Sequence, residues 1–133
     1  MASILRVNTL TDASSNNSVA TSVLFSGSAK AWGNLDGTGT IAIRDSYNIS
    51  SAVDGSTGYY TFNYSSNMTN DDYSASENVA ETSGFEGHMN RYPAIDGVAT
   101  NKITFGATFK PTGSSAANYD VDELYVTIVG DLA

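Results

Sequence analysis

Apolar and polar residues alternate with a period of two along almost the whole chain, the pattern of strands that bury one face. Leu5, Val7 and Thr9 alternate with Arg6 and Asn8 and predict a first short strand, and residues 12–18 read as a polar turn. A second strand is expected over 19–25. Residues 28–35 follow, with Lys30, Trp32 and Asn34 on one face and Ala29, Ala31 and Gly33 on the other. Asp36-Gly37 then marks a hairpin, because both residue types tolerate the positive φ of tight turns. The chain returns over 40–44, with Ile41 and Ile43 aligned, and alternation continues through Tyr47, Ile49 and Ser51 to Val53. The run Asp54-Gly55-Ser56-Thr57-Gly58 predicts the next tight connection. Beyond it Tyr60, Phe62 and Tyr64 share one face, and Tyr59, Thr61 and Asn63 the other.

Regularity falls after Tyr64. Residues 65–72 read as a loop, 73–82 as a strand, and 84–101 as the least regular stretch. It recovers over 102–109, where Ile103, Phe105, Ala107 and Phe109 align, and over 122–129, where Leu124, Val126 and Ile128 are expected inward. Residues 111–118 form a small-residue loop. No segment of ten or more residues carries a convincing 3.6-residue apolar period, so many short strands separated by turn signals predict an all-β, antiparallel β-sandwich. Residues 1–26, polar and short of large apolar side chains, are set apart as an N-terminal attachment and oligomerisation segment; residues 27–133 are expected to form the sandwich.

Composition agrees with this reading. Ser, Thr and Asn supply 18, 14 and 12 of the 133 residues, a poor mixture for helices and a good one for turns and strand surfaces. At 15% charged and 41% hydrophobic the chain is too apolar for an acidic disordered tail. The net charge of −8 leaves no basic stripe for phosphates, which argues against nucleic acid and against an anionic membrane surface. The absence of cysteine removes disulfides, thiolate metal sites and cysteine nucleophiles together. Residues 1–6 lack the apolar run of a signal peptide, and no stretch approaches the ~20 apolar residues that span a bilayer. A soluble protein made in a cytoplasm is expected.

Catalytic chemistry finds little support. The only histidine, His88, sits in Gly-Phe-Glu-Gly-His-Met, which is no nucleophile elbow, and reads as a solvated loop residue. Paired carboxylates for glycoside hydrolysis are easy to imagine among ten Asp and four Glu, yet Asp36-Gly37, Asp54-Gly55 and Asp96-Gly97 are explained by turn chemistry. No enzyme activity and no cofactor is expected. Asn70-Asp71-Asp72 and Asp120-Val121-Asp122-Glu123 are oxygen-rich, but neither has calcium-hand spacing and both read as solvated strand ends, so no metal site is expected. Gly37-Thr38-Gly39 joins two strands, not a strand and a helix, and so is no phosphate cradle. Trp32 offers a surface for stacking on a sugar, but it is placed in the core against Tyr60, Phe62 and Tyr64.

The run from Ser26 to Tyr64, S-G-S-A-K-A-W-G-N-L-D-G-T-G-T-I-A-I-R-D-S-Y-N-I-S-S-A-V-D-G-S-T-G-Y-Y-T-F-N-Y, resembles a module of bacteriophage tail-fibre and related virion proteins of phages of aquatic bacteria. The matching features are a Lys-Ala-Trp opening, an Asp-Gly-Thr-Gly-Thr turn, an Arg-Asp-Ser-Tyr-Asn-Ile-Ser-Ser strand and a Thr-Gly-Tyr-Tyr-Thr strand. The ending Leu124-Tyr-Val-Thr-Ile-Val-Gly130 is similar to the family's terminal strand, while residues 65–121 match loosely. The resemblance implies a homotrimeric β domain located in the virion, capping a fibre or sitting at its tip, without enzymatic activity. Its partners would be other virion proteins and a host-surface glycan or protein. A capsid decoration protein is the main alternative, and a host-polysaccharide depolymerase the last.

Such modules usually end much longer fibres, so the short stretch ahead of this one is expected to do the attaching. Leu5, Val7, Val19, Val23 and Phe25 have little local partner there and are the expected oligomer contacts. Residues 84–101 depart most from the family pattern. Phe85, His88, Arg91, Tyr92 and Asp96 within them are the expected receptor-binding residues, because loops on a rigid β scaffold vary without disturbing the sheet.

Overall fold

The alternation resolves into two antiparallel sheets packed face to face. The computed structural model describes residues 4, 6–80, 94–109, 115 and 117–133, the backbone alone for 94–96 and 108–109. β1 (Thr9–Thr11) and β2 (Ser18–Ala20) form a small hairpin, and α1 (Thr21–Gly27) follows directly. Next come β3 (Ala29–Asp36), β4 (Ala42–Tyr47), β5 (Ile49–Ser56), β6 (Tyr59–Tyr64) and β7 (Ser74–Ala80). The chain then forms β8 (Ala94–Ala99), β9 (Lys102–Gly106), the short pair β10 (Thr108–Phe109) and β11 (Ala117–Asn118), and β12 (Glu123–Val129). One large sheet has the order β4-β3-β12-β7 and the other β5-β6-β9-β8. The last strand thus lies between the third and the seventh.

Period-two burial builds the core. β6 sends Tyr60, Phe62 and Tyr64 inward, β9 sends Ile103 and Phe105, β12 sends Leu124, Val126 and Ile128, and β3 sends Ala31 and Leu35. Phe62 meets Phe105 edge to face at 6.0 Å and 77°, the geometry that ring quadrupoles favour. Gly33 makes room for this packing, since a Cβ there would sit 3.4 Å from the Phe62 ring.

The chain changes sheet at a single residue. Asn48, between β4 and β5, has φ of 56°, a left-handed conformation that Asn adopts more readily than most residues. Its amide nitrogen donates to the carbonyls of Lys30 and Ser66, both at 3.0 Å, and its Oδ1 accepts from the Ser66 N–H at 2.7 Å. These bonds hold the corner against both β3 and the loop after β6.

Buried tyrosines close each end of the sandwich. At one end the Tyr60 hydroxyl lies 3.0 Å from the Gly37 carbonyl and 3.2 Å from Asp120 Oδ1, and it accepts from the Val121 N–H. Asp120 Oδ1 also accepts from the Gly58 N–H at 2.7 Å. At the other end the Tyr64 hydroxyl donates to that of Tyr73 at 3.0 Å, and Tyr73 reaches the carbonyls of Ala99 and Lys102. Burial raises all three phenols above their ordinary range.

The structure differs from the sequence reading in several elements. The first strand is Thr9–Thr11, shifted toward the turn. Of the strand expected over 19–25 only its first two residues lie in β2, and the rest belong to α1. The β1–β2 ladder ends at Thr9 paired with Ala20, so among the described residues no partner strand remains beyond Ala20 and the backbone bonds to itself as a helix. Residues 84–101, read as loop-like, include β8, which pairs with β9. At the Asp36-Gly37 hairpin the positive φ of 58° belongs to Gly39. Gly37 is required for another reason: a Cβ there would lie 2.5 Å from the Tyr60 hydroxyl.

Candidate functional site

The first candidate surface is the N-terminal hairpin and helix. α1 has seven residues, none buried, and Ala20 at its start gives no side-chain cap. What positions it is the Thr21 N–H, which donates to the Asn8 carbonyl at 2.9 Å, and the Thr21 hydroxyl, which reaches the carbonyls of Val7 and Asn8. At its far end the buried Lys30 ammonium donates to the carbonyls of Phe25 and Ser28 and to the Ser28 hydroxyl. A cation beside the last carbonyls suits a helix C-terminus. Thus fixed, the element turns apolar side chains to solvent: Phe25 is 70% exposed and Val23 60%, and Ile4, Val7, Leu10 and Leu24 are exposed with them. Val19 is half-buried, and Leu5 lies outside the described residues. A shallow cleft of about 460 Å³ runs between Arg6, Val7, Asn8, Thr21 and Phe25. The contribution of Ile4, Leu10 and Leu24 had no sign in the alternation, since they fit no strand face; an apolar residue outside every period was the only available signal.

The second surface is the outer face of the β4-β3-β12-β7 sheet. Here the placement of Trp32 is corrected. The period of β3 was right and its phase opposite: Ala31, Gly33 and Leu35 face the core, and Trp32, 38% exposed, faces out. Strand register sets Tyr47, Trp32, Thr127 and Ser76 in one outward row. The next row holds Asp45, Asn34, Tyr125 and Asn78. Tyr47 is 51% exposed and Tyr125 is exposed beside Asn34. Tyr125 was legible as outward, because it falls between the inward Leu124 and Val126.

Beyond these rows the face is held by charge. A register shift between Asn34 and Leu35 inserts Arg44 into β4 as an extra residue. Arg44 donates to Asp36 Oδ2 at 3.0 Å and to Glu123 Oε1. The Thr38 N–H and hydroxyl also donate to Asp36 Oδ1, at 3.0 and 2.8 Å. Thr38 foremost, then Arg44, holds the Asp36 carboxyl down at about 2, and the bond to Asp36 in turn raises the Arg44 guanidinium.

Of the expected receptor-binding residues, Phe85, His88, Arg91 and Tyr92 lie outside the described residues. Asp96 falls in β8, where its backbone pairs with Thr104. Among the described residues no three His, Asp or Glu gather as a metal-ligand set. Asp120, from one of the two oxygen-rich runs, is instead committed to the Tyr60 and Gly58 bonds. No described helix is long and apolar enough to cross a membrane. No protein-family model, curated protein or solved structure matches the chain.

Proposed function

We propose that the chain is a structural component of a phage virion, a tail-fibre or fibre-tip protein that acts by binding and not by chemistry. β1, β2 and α1 join three subunits, and the sandwich carries the host-facing surface. The observation that carries this reading is the apolar set Val7, Leu10, Val23, Leu24 and Phe25, displayed by an element with no buried helix residue. A two-stranded hairpin and a two-turn helix are each marginal in water alone. Burying such side chains at about 1.5–3 kcal/mol each offsets an association cost of roughly 4–15 kcal/mol once several are covered per subunit. The resemblance of residues 26–64 to tail-fibre modules supports the same conclusion and supplies the threefold stoichiometry.

Several residues of the run 26–64 have structural work in this fold. Asp36 folds the turn, Arg44 ties it to β12, Asn48 turns the sheet corner, and Gly58 and Tyr60 lock one end. Most of the motif is therefore scaffold chemistry. Cryo-electron microscopy of particles carrying the chain tests the proposal: threefold density on the tail or its fibres is expected, and density spread over the capsid lattice would contradict it.

A further inference from the structure

Trp32 and Tyr47 lie in the same motif and do none of this scaffold work. They sit side by side across β3 and β4, directly opposite in register, and point away from the core. Such directly opposed residues have Cβ atoms about 4.5–5.5 Å apart, and the diagonal step to Tyr125 is about 7–8 Å. Trp32 therefore has Tyr47 beside it on one strand and Tyr125 on the diagonal of the other, all three on the outer face of the sheet.

What surrounds them selects among ligand chemistries. The two outward rows contain no Leu, Ile, Val or Met, so the aromatic rings supply their large apolar surface. The rings alternate with short hydroxyl, amide and carboxylate groups: Thr127, Ser76, Asn34, Asn78 and Asp45. The rows contain no cation either. Among the described cations, Arg44 is engaged with Asp36 and Glu123, and Lys30 with the end of α1. With a net charge of −8, phosphate, sulfate and uronate groups are repelled.

A pyranose has complementary chemistry, with an apolar C–H face that stacks on an aromatic ring and a rim of hydroxyls that donate and accept. We propose that this face is a platform for a neutral glycan, with Trp32 and Tyr47 as the stacking pair and Asp45, Asn34 and Thr127 gripping hydroxyls. The inference rests on the reading of the chain as an attachment protein and names its ligand class. An open platform holds one chain weakly; three copies in a trimer multiply the hold through effective concentration.

Trp32 is the only tryptophan, so its fluorescence reads the site directly. The full chain should be titrated with dextran, galactomannan and arabinogalactan, with dextran sulfate as the anionic counterpart and polylysine as the cationic one. At least one neutral polysaccharide should shift or quench the emission while dextran sulfate does not. Tyr47→Ala should weaken that response at least tenfold, with thermal unfolding and mass in solution unchanged. An emission unmoved by all three neutral polysaccharides overturns the proposal, as does a response to polylysine alone or an unaltered affinity in Tyr47→Ala. A changed mass in that variant would make the face an assembly contact and overturn it too. The two readings separate cleanly: a trimer blind to neutral glycans removes the platform alone, and a glycan-binding monomer removes the trimer alone.

Discussion

Single residues hold this fold where backbone or polar groups come closest, and two glycines separate the reasons. Gly58 has φ of 73° and an added Cβ would lie 2.5 Å from the Ala107 carbonyl, whereas Gly39 has φ of 58° with nothing within 4 Å. Gly39→Ala should therefore cost about 1–2 kcal/mol, the left-handed penalty alone, and Gly58→Ala clearly more, read from denaturant midpoints. Tyr60→Phe removes the hydroxyl that joins Gly37, Asp120 and Val121 and should cost about 1–3 kcal/mol. The titrations have signs that follow from burial and bonding. Tyr60, Tyr64 and Tyr73 have raised folded-state values, so their contribution is complete below pH about 10 and is lost as pH rises beyond it. The share of phenolate absorbance that belongs to these three should then appear only with alkaline unfolding. Asp36 is depressed from 3.8 to about 2, so its contribution is present above pH 3.8 and lost as pH falls toward 2. Asp36→Asn should flatten the melting-temperature profile across that window, and an unchanged slope would remove Asp36 from the account.

Strands were legible in the sequence where one face is apolar and a partner lies on each side. β6, β9 and β12 are examples, and Tyr60, Phe62, Ile103, Phe105, Leu124, Val126 and Ile128 all point as their alternation indicates. β3 shows the limit. Small residues alternate there with Lys30, Trp32 and Asn34, and size suggests that the tryptophan faces inward; the core instead takes Ala31, Gly33 and Leu35, because Phe62 from the opposite sheet fills the space. α1 shows another limit, since Val19, Thr21, Val23 and Phe25 alternate like a strand, yet only Val19 lies in β2 and the other three are helical, where the described β1–β2 ladder has ended. Of the N-terminal apolar residues, Val7, Val23 and Phe25 were picked out by their lack of a local partner in the sequence and are exposed, whereas Ile4, Leu10 and Leu24 carried no such sign. The platform was not legible, because it depends on the register that brings Tyr47 beside Trp32. Two truncations measure the difference at element scale: Phe62→Ala should lose about 3–5 kcal/mol, and Trp32→Ala only about 1–2 kcal/mol, from its cross-strand pairing and strand propensity. A large loss in Trp32→Ala would return that ring to the core.

At the scale of the whole molecule, a sandwich that completes its own core carries an appendage that does not. Among the described residues thirteen hydrophobic ones are buried in the core, while α1 buries none. Assembly and folding should accordingly be separable. Val23→Asp with Phe25→Asp should abolish association while leaving thermal unfolding of the sandwich close to that of the parent chain, whereas a collapse of both together would make the appendage part of the fold. The measurement that bears most directly on the proposed function is the mass of the full chain in solution by light scattering at micromolar concentration. The account predicts about 42 kDa, three times the 14.0 kDa chain. A stable species at 14.0 kDa would contradict it.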